Sequence, residues 1–378
     1  MLKTYRYRLY PNKKQKQIID NTIELCRHLY NCGLEQRIRA YRQNRISVTA
    51  FQQINELPGL KETFPEYQNV HSQVLQDVLR RLDKTFKAFF LRIKAGEKGG
   101  CPRFKGVTRY HSFTYPQPQE NMLPSNGKLY LPKIGRVKIK LHRELPSKIR
   151  TITITRKNGK YYACFAVEAE ANPLPITGKY VGIDMGVISF VATSDGLLVQ
   201  APRSYRKAEK RLKTYQREVS RRKKGSNRRK KSVQKLARAH EKVANQRKDI
   251  AHKVARYLVD NYDFIAHEDL QVKNMVKNHH LAKSIHDSGW GVFFNILACK
   301  AAEAGRLVVK VPPQYTSQIC SGCSTIVKKS LAERIHKCPH CGLELDRDIN
   351  AARNILATAL SITGSDGAFG DSLLQQAG

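Results

Sequence analysis

The chain has 378 residues, with 68 lysines and arginines against 31 aspartates and glutamates, a formal charge of +37 and a pI near 10.0. An excess of this size opposes compaction by self-repulsion unless a polyanion neutralises it, so the composition predicts a nucleic-acid partner. A role at a membrane surface is disfavoured, because the basic residues spread over the whole chain and no long apolar run occurs.

The first half of the chain is predicted to be a β-module interrupted by helices. Residues 1–10 alternate polar and apolar side chains like a strand and lack the apolar core of a secretory signal. A first helix places four apolar side chains on one face: Ile19, Ile23, Cys26 and Tyr30. A second helix, from Val74 to Ile93, carries an apolar stripe that is expected to pack in a core. From about residue 103 to 169 the pattern becomes strand-like.

After a linker at 172–175 the pattern changes to α/β. Residues 180–186 form an apolar strand that ends in Asp184 and a glycine, and two short strands follow at 188–193 and 197–200. An acid at the end of a buried strand, followed by a β-meander, is the opening of an RNase H-like fold. Taken alone, such an aspartate is equally well explained as a turn former.

Two further acidic points strengthen the enzymatic interpretation. Glu268 and Asp269 close the apolar strand that starts at residue 264, and Asp346 and Asp348 open an alanine-rich helical segment. Three carboxylate points far apart in sequence suit two-metal phosphodiester cleavage, in which one ion activates water and the other stabilises the leaving oxygen. The residues alone leave open which acid of each pair takes part.

Four cysteines near the C-terminus predict a closed tetrahedral zinc site: Cys320, Cys323, Cys338 and Cys341. His336 and His340 flank the second pair, but four thiolates already complete such a site. The paired spacing favours a reducing compartment with metal over a disulfide framework. The five remaining cysteines are expected to be small buried apolar residues: Cys26, Cys32, Cys101, Cys164 and Cys299.

Residues 203–252 are predicted to form a helical hairpin with a strongly basic turn. Repulsion among clustered cations makes unneutralised exposure costly, so phosphate contact is favoured over a solvated face. Trp290 fits packing of a helix against a sheet at least as well as base stacking. The turn carries eight cations: Arg221, Arg222, Lys223, Lys224, Arg228, Arg229, Lys230 and Lys231.

A set of short motifs, in order along nearly the whole chain, resembles the TnpB family of transposon-encoded RNA-guided nucleases, which are related to the type V CRISPR effectors. The motifs are Arg8-Leu9-Tyr10-Pro11-Asn12, Pro102-Arg103-Phe104-Lys105, Gly182-Ile183-Asp184-Met185-Gly186, Gly289-Trp290-Gly291, Thr316-Ser317-Gln318-Ile319-Cys320-Ser321-Gly322-Cys323, Cys338-Pro339-His340-Cys341-Gly342 and Asp346-Arg347-Asp348-Ile349-Asn350-Ala351-Ala352.

The resemblance implies roles for particular residues. The RuvC-type catalytic carboxylates fall on Asp184, Glu268 and Asp348, and the zinc ligands fall on the four cysteines. Arg334 occupies the position of an arginine near the cleavage centre and is expected to stabilise charge on the scissile phosphate. The basic hairpin would lie against guide RNA or heteroduplex. Exposed polar side chains between residues 47 and 76 are candidate readers of an adjacent motif: Gln52, Gln53, Asn55, Ser72 and Gln76.

It also implies a multidomain fold that combines α+β and α/β parts. A β-barrel-like wedge would comprise residues 1–12 and 103–172, with a helical recognition domain at 13–102. An RNase H-like (RuvC) nuclease would comprise 173–314 and 343–363. A zinc-binding, target nucleic-acid-binding module would be inserted at 315–342, and residues 364–378 would form a disordered tail.

The implied function is RNA-guided cleavage of DNA next to a short adjacent motif, by an enzyme of an insertion sequence with two catalytic Mg²⁺ ions and one structural Zn²⁺ per chain. Its partners would be a guide RNA encoded by the transposon end and target DNA, double- and single-stranded, with one protein monomer per guide RNA and no membrane. The expected location is the prokaryotic cytoplasm, at the nucleoid.

Two alternatives compete with this interpretation. A guide-dependent DNA-binding regulator or transposition accessory protein would bind without cleaving, which the intact acidic residues disfavour. A stand-alone RuvC-like nuclease would need no RNA, which the large N-terminal half and the basic hairpin disfavour.

Overall fold

The computed structural model describes residues 2–145, 148–330 and 333–364, and the chain divides into two compact units, Met1–Ala169 (unit 1) and Glu170–Gly378 (unit 2). The tail predicted to be disordered lies, beyond Gly364, outside the described residues. Within the described ranges, no helix combines the length and apolar character needed to cross a membrane.

Unit 1 is a six-stranded antiparallel sheet with helices inserted after its first strand. The strands are arranged in the order β2-β5-β6-β1-β4-β3, so the first strand of the chain lies inside the sheet, between β6 and β4. The elements are β1 Leu2–Tyr10, α1 Lys13–Asn44, α2 Ala50–Asn55, α3 Leu57–Thr63, α4 Ser72–Lys94, β2 Ser112–Tyr115, β3 Lys128–Leu131, β4 Gly135–Lys140, β5 Ile149–Lys157 and β6 Lys160–Glu168.

The two long helices of unit 1 follow the sequence pattern, with one difference. A capping box between Asn12 and Gln15 starts α1, and its four predicted core side chains are all buried. The stripe of α4 is buried from Val74 to Leu82, but Ile93 at its end is 51% exposed. The expected core packing stops short because α4 continues beyond the residues it packs against.

The expectation that Gln53 is exposed is wrong. Its side chain is buried, accepts a 2.9 Å hydrogen bond from Arg37 Nε, and donates to Gly33 O at 2.8 Å and to Gln36 Oε1 at 2.7 Å. Gln53 thereby fastens α2 to α1, because a buried amide is stable only when its polar atoms have partners. The other candidate motif readers keep exposed or half-buried side chains: Gln52, Asn55, Ser72 and Gln76.

The single cysteines also depart from expectation. Cys26 is buried and Cys164 half-buried, whereas Cys32, Cys101 and Cys299 are exposed. Apolar neighbours along the chain do not determine the face on which a residue lies, because side-chain direction changes at every residue of a helix or strand.

Unit 2 is a mixed five-stranded sheet, in the order β11-β10-β7-β8-β9, with helices on both faces. Strands β7, β10 and β11 are parallel, and β8 and β9 join as an antiparallel meander. The elements are β7 Tyr180–Asp184, β8 Ser189–Thr193, β9 Leu198–Gln200, α5 Ser204–Arg221, α6 Asn227–Asn261, β10 Phe264–Glu268, α7 Val272–Met275, α8 His279–Ser288, α9 Trp290–Ala304, β11 Leu307–Val311, β12 Ile335–Lys337, β13 Glu344–Asp346 and α10 Arg347–Thr363.

The two faces of this sheet are covered by different helices. Val181, Ile183 and Ile265 share a core with apolar residues of α6 and α9, whereas Phe264 and Ala266 pack with Ile355 and its neighbours on α10. Alternate residues of β10 therefore face opposite helices, as the two-residue period of a strand requires. This arrangement places the first turn of α10 near the ends of β7 and β10.

Candidate functional site

The structure brings the three predicted carboxylates to one edge of the unit 2 sheet. Asp184 is the last residue of β7 and Glu268 is the last residue of β10. These strands are parallel neighbours in register, with His267 opposite Ile183, so their final residues lie side by side. Asp348 lies in the first turn of α10, and its charge and that of Glu268 both act on Asp184.

Two glycines of the Gly-Ile-Asp-Met-Gly motif allow this approach. A Cβ added at Gly182 would lie 2.1 Å from Ala352 O and 2.7 Å from Leu356 N, so the backbones of β7 and α10 are in direct contact there. A Cβ at Gly186 would lie 2.7 Å from Ser189 O and 3.5 Å from an oxygen of Asp348. The absent side chains leave the space that Asp348 needs to reach the end of β7.

The site is electrostatically unfavourable for three anions. Burial first, and then the charges of Glu268 and Asp348, raise the pKa of Asp184 to about 8. Burial raises the pKa of Glu268, although a hydrogen bond from Thr316 Oγ1 to Glu268 Oε1 opposes the shift. Burial and the neighbouring Asp346 raise the pKa of Asp348. Carboxylates crowded in this way are a donor set that suits hard divalent cations such as Mg²⁺.

The structure gives different surroundings to the two acids of each pair, Glu268 and Asp269, and Asp346 and Asp348. Asp346 is the N-cap of α10, and its Oδ1 accepts from the backbone N–H groups of Asp348 at 2.8 Å and Ile349 at 3.3 Å. Asp269 pairs with Lys310 at 3.4 Å on the surface. Asp348 and Glu268 are therefore the members of each pair that face Asp184.

Arg334 lies at the edge of this group. Its Nη1 is 3.9 Å from Asp348 Oδ1, its side chain is 44% exposed, and its backbone oxygen accepts from Arg347 N at 2.7 Å. Arg347 Nε lies 3.8 Å from the same Asp348 oxygen. A guanidinium held beside the carboxylates and open to solvent is able to meet an incoming phosphate.

The four cysteines form a compact cluster. The Sγ–Sγ distance is 3.6 Å for both Cys320–Cys341 and Cys323–Cys338, and all four sulfurs lie within 4.8 Å of one another. A regular tetrahedron with metal–sulfur distances of about 2.3 Å has edges of about 3.8 Å, so these residues fit a zinc ion. Hydrogen bonding with Thr325, through its side chain and then its backbone, lowers the pKa of Cys323 to about 6.

Among the described residues, only this cysteine cluster brings the ligand atoms of three or more metal-ligating side chains within 4.8 Å of one another. The three carboxylates are spaced more widely.

Sequence reasoning assigned no role to two asparagines that join the cysteine cluster to the acidic site. Asn354 Nδ2 donates to the backbone oxygens of Thr316 at 2.8 Å and Ile319 at 2.7 Å. Asn350 Nδ2 donates to Ile319 O at 2.7 Å, and its Oδ1 accepts from Ser321 N at 2.9 Å. The available signal was a pair of asparagines four residues apart in an alanine-rich helix, where asparagine is a poor helix former.

The basic segment forms a helical hairpin, as predicted, with its eight cations at the turn between α5 and α6. Leu212 and Val219 are buried along the edge of α5. Of the cations, Arg222 and Arg229 are half-buried and the other six are exposed. Arg222 lies 3.3 Å from Glu218, the acidic side chain it pairs with on the preceding turn.

Trp290 and Asp287 organise the helices behind the sheet. Trp290 is buried in the core shared by α6 and α9, which agrees with the packing interpretation. The buried Asp287 accepts from Tyr205 N at 2.8 Å at the start of α5 and from Arg247 Nε at 3.0 Å on α6. One carboxylate thus fixes the base of the hairpin, while its basic turn extends away.

Three family models match the chain. Residues 163–279 match the OrfB family of IS605 elements, described as "Probable transposase", and residues 290–355 match the TNB domain of Cas12f1-like proteins. Residues 1–45 match a model described as a helix-turn-helix domain. In the structure this last range holds strand β1 and the single helix α1.

Relatives match over almost their full length. A protein of Streptomyces pristinaespiralis is 33% identical over 99% of this chain and 92% of its own. InsQ of Escherichia coli K12 is 30% identical over 96% of this chain and 93% of its own. Both carry the name "Putative RNA-guided DNA endonuclease". The solved structure of the mini-RNA-guided endonuclease CRISPR-Cas phi3 matches with a TM-score of 0.51 and 10% identity, over 95% of this chain and 92% of that one, which is a likeness of fold.

A mixed α+β chain with carboxylates gathered at strand ends beside a four-cysteine cluster, matched in this way, falls in the class of transposon-encoded nucleases. Within that class, the chain belongs to the IS605 OrfB family of TnpB-like RNA-guided DNA endonucleases.

Proposed function

We propose that the chain cleaves target DNA under the direction of a guide RNA, by two-metal phosphodiester hydrolysis at Asp184, Glu268 and Asp348, next to a short adjacent motif. The observation that carries the proposal is the meeting of these three carboxylates at one edge of the sheet, in a member of an RNA-guided endonuclease family. Their raised pKa values indicate that a cation is needed to hold all three ionised.

Each residue has a distinct task in this proposal. Asp184, Glu268 and Asp348 would bind divalent cations, which supply an activated water and neutralise the leaving oxygen. Thr316 holds one oxygen of Glu268 by its hydrogen bond and so fixes the direction of the other. Arg334, with its exposed guanidinium near Asp348, would contact the scissile phosphate and stabilise its developing charge.

The domain assignment is part of the same proposal. We assign residues 173–314 and 343–363 to an RNase H-like (RuvC) nuclease, supported by the β7-β8-β9 meander followed by the parallel strands β10 and β11. The zinc module at 315–342 would contact target nucleic acid and brace α10 through Asn350 and Asn354. Unit 1 would supply the wedge and the recognition helices.

Guide RNA and target DNA are the partners that the charge of +37 suits. Sequence specificity would come mainly from base pairing with the guide, so the protein needs to hold nucleic-acid backbones rather than read many bases. The exposed cations at the turn of the α5–α6 hairpin are proposed phosphate contacts.

The test compares alanine variants of adjacent acids in Mg²⁺-dependent, guide-directed DNA cleavage. Asp184→Ala, Glu268→Ala and Asp348→Ala should each lose cleavage by orders of magnitude and keep RNA binding, because the metal is left under-ligated. Asp346→Ala should lose only a helix cap, about 1 kcal/mol of stability. Asp269→Ala should remain active, since this residue pairs on the surface.

The outcomes separate the alternatives. A wild-type chain that binds guide RNA and target DNA without cutting would be a guide-dependent binding protein. Cleavage that does not depend on RNA would indicate a stand-alone nuclease. Loss of activity in Asp346→Ala with activity retained in Asp348→Ala would transfer the catalytic role between the two.

A further inference from the structure

Unit 1 contains an open groove between the end of α4 and the Pro-Arg-Phe-Lys motif, which we name the 89–109 groove. Its volume is about 260 Å³, less than the ~300–1,000 Å³ of pockets for drug-sized ligands. None of its described lining residues is acidic. The aromatic and basic side chains that line it are Phe89, Arg92, Arg103, Phe104, Lys105 and Arg109.

The backbone of the motif is fixed at Lys105, the residue after Phe104, although the side chains of Arg103 and Phe104 are exposed. Lys105 N donates to Asn31 Oδ1 at 2.8 Å, and Lys105 O accepts from Asn31 Nδ2 and from Arg27 Nη1, both at 3.1 Å. These bonds tie the segment to α1. Phe104 is nevertheless 53% exposed, and the side chain of Arg103 is exposed as well. An aromatic ring on a fixed backbone, facing solvent, is preorganised for a partner.

We propose that the 89–109 groove holds one unpaired base of the guide RNA, stacked on Phe104, with the flanking phosphates on Arg103 and Arg109. Basic grooves with an aromatic platform bind single strands in this way, because every base offers a π-face. The identity of the occupant as guide RNA rests on the proposed function.

Charge and geometry favour this occupant over others. A second copy of the chain is disfavoured because both copies carry a charge of +37. Double-stranded DNA keeps its bases stacked until it is opened, whereas RNA loops and bulges present unstacked bases to aromatic side chains. The groove has room for one ring system and surrounds it with cations.

The experiment measures binding of the full-length chain to a mixed-sequence 20-nucleotide single-stranded RNA carrying 4-thiouridine, beside the same sequence as DNA and as an RNA duplex. Phe104→Leu keeps an apolar side chain and removes the aromatic face. It should weaken RNA binding at least about fivefold, equally at all salt concentrations, and Phe104→Trp should restore it. Ultraviolet cross-links should map to residues 89–109 in the wild type.

Two further variants sharpen the test. Arg103→Gln with Arg109→Gln should flatten the slope of log affinity against log salt by about 0.7 for each lost phosphate contact on a single strand. These exposed side chains contribute little packing, so the double variant decides the question if Phe104→Leu fails to fold. The matched control is Phe64→Leu, because Phe64 is 48% exposed but lines a cavity with Glu24 and Glu66, and it should bind RNA like the wild type.

The inference is overturned if Phe104→Leu binds RNA as Phe64→Leu does, or if Phe104→Leu and Phe104→Trp are equally weak. It is also overturned if the RNA duplex loses as much affinity as the single strand, because a duplex offers no unpaired base to Phe104. Guided cleavage by the wild type with unchanged RNA binding in Phe104→Leu would reject only this inference. Undiminished cleavage by Asp184→Ala would reject only the proposed function.

Discussion

Gly182→Ala should uncouple cleavage from folding in unit 2. The added Cβ would lie 2.1 Å from Ala352 O, whereas real Cβ contacts essentially never fall below 3.0 Å. Ala352 O is a backbone atom and the position of a Cβ is set by its own backbone, so no side-chain rotation relieves the overlap. Strand β7 and helix α10 must therefore separate at this point by about 0.9 Å.

The expected magnitudes follow from this separation. Overpacking of this kind typically costs about 1–3 kcal/mol, equivalent to a fall in Tm of roughly 2–4 °C for each kcal/mol in a unit of this size. Asp348 lies one turn before Ala352 on the same helix and moves with it. If Asp348 has its proposed catalytic role, a displacement of about 1 Å can cost about a hundredfold in rate. Cleavage should therefore fall far more than stability.

The assay is single-turnover cleavage of guide-matched DNA in Mg²⁺, beside thermal unfolding and RNA binding of the same preparations. Gly291→Ala is the matched control, since a Cβ there meets no atom within 4 Å and the residue belongs to α9 of the same unit. Wild-type cleavage by Gly182→Ala would refute the link between the strand–helix contact and the site. So would an equal loss in Gly291→Ala.

Three more predictions concern pH, zinc and salt. Because the pKa of Asp184 is raised to about 8, ionisation of this group alone lowers the stability of the metal-free chain as the pH rises from about 4 towards 8. In EDTA, the Tm of Asp184→Asn should be higher than that of the wild type near pH 8.5 and equal to it near pH 4. The proposed content is one zinc per chain, and Cys341→Ser should lower it and reduce cleavage, because a structural zinc would support folding of the module next to Asp348. Elemental analysis and DNA cutting measure the two effects. The salt prediction neutralises four arginines of the hairpin turn together: Arg221, Arg222, Arg228 and Arg229. RNA and heteroduplex binding should weaken more than the stability of the fold. The slope of log affinity against log salt should flatten by a little under one unit per lost contact.

Each of these predictions has an outcome that would contradict it or a control variant. Superimposable pH profiles for wild type and Asp184→Asn would contradict the raised pKa. Cys299→Ser should keep its zinc, since this exposed cysteine lies outside the cluster. For the hairpin, the control variant neutralises four cations that are already held in surface ion pairs: Arg39, Lys213, Lys253 and Arg256. If this variant loses as much RNA affinity as the hairpin variant, only net charge matters.

Much of unit 2 could be predicted because its signals are local. The apolar strand before Asp184, the strand before Glu268 and each Cys-x-x-Cys pair occupy fewer than about ten residues, and strand period and ligand spacing act at that range. The α5–α6 hairpin was predicted from the same kind of pattern. The catalytic roles of the acids remain predictions, although the structure gathers them in one place.

What the sequence did not reveal depends on partners that come from distant segments. Gln53 is buried because residues of α1 supply matching polar atoms, and no local pattern records that match. Asn354 joins α10 to the cysteine module through backbone oxygens, which any sequence offers. The exposed end of α4 shows the converse, since an apolar stripe predicts a core only as far as another element covers it.

The inner position of β1 has a consequence for synthesis. Its register with β6 runs from Leu2 opposite Glu168 to Leu9 opposite Tyr161, so the first strand made must wait for the last strand of its unit. At about 5–20 residues per second the delay is roughly ten to thirty seconds on the ribosome. Until β4 is made, both edges of β1 are open to other nascent chains, and the edge that pairs with β6 stays open until β6 follows. Lys3, Arg6 and Arg8 along the strand make such pairing repulsive, and replacing them with threonine should direct newly made protein into aggregates before unit 1 can close.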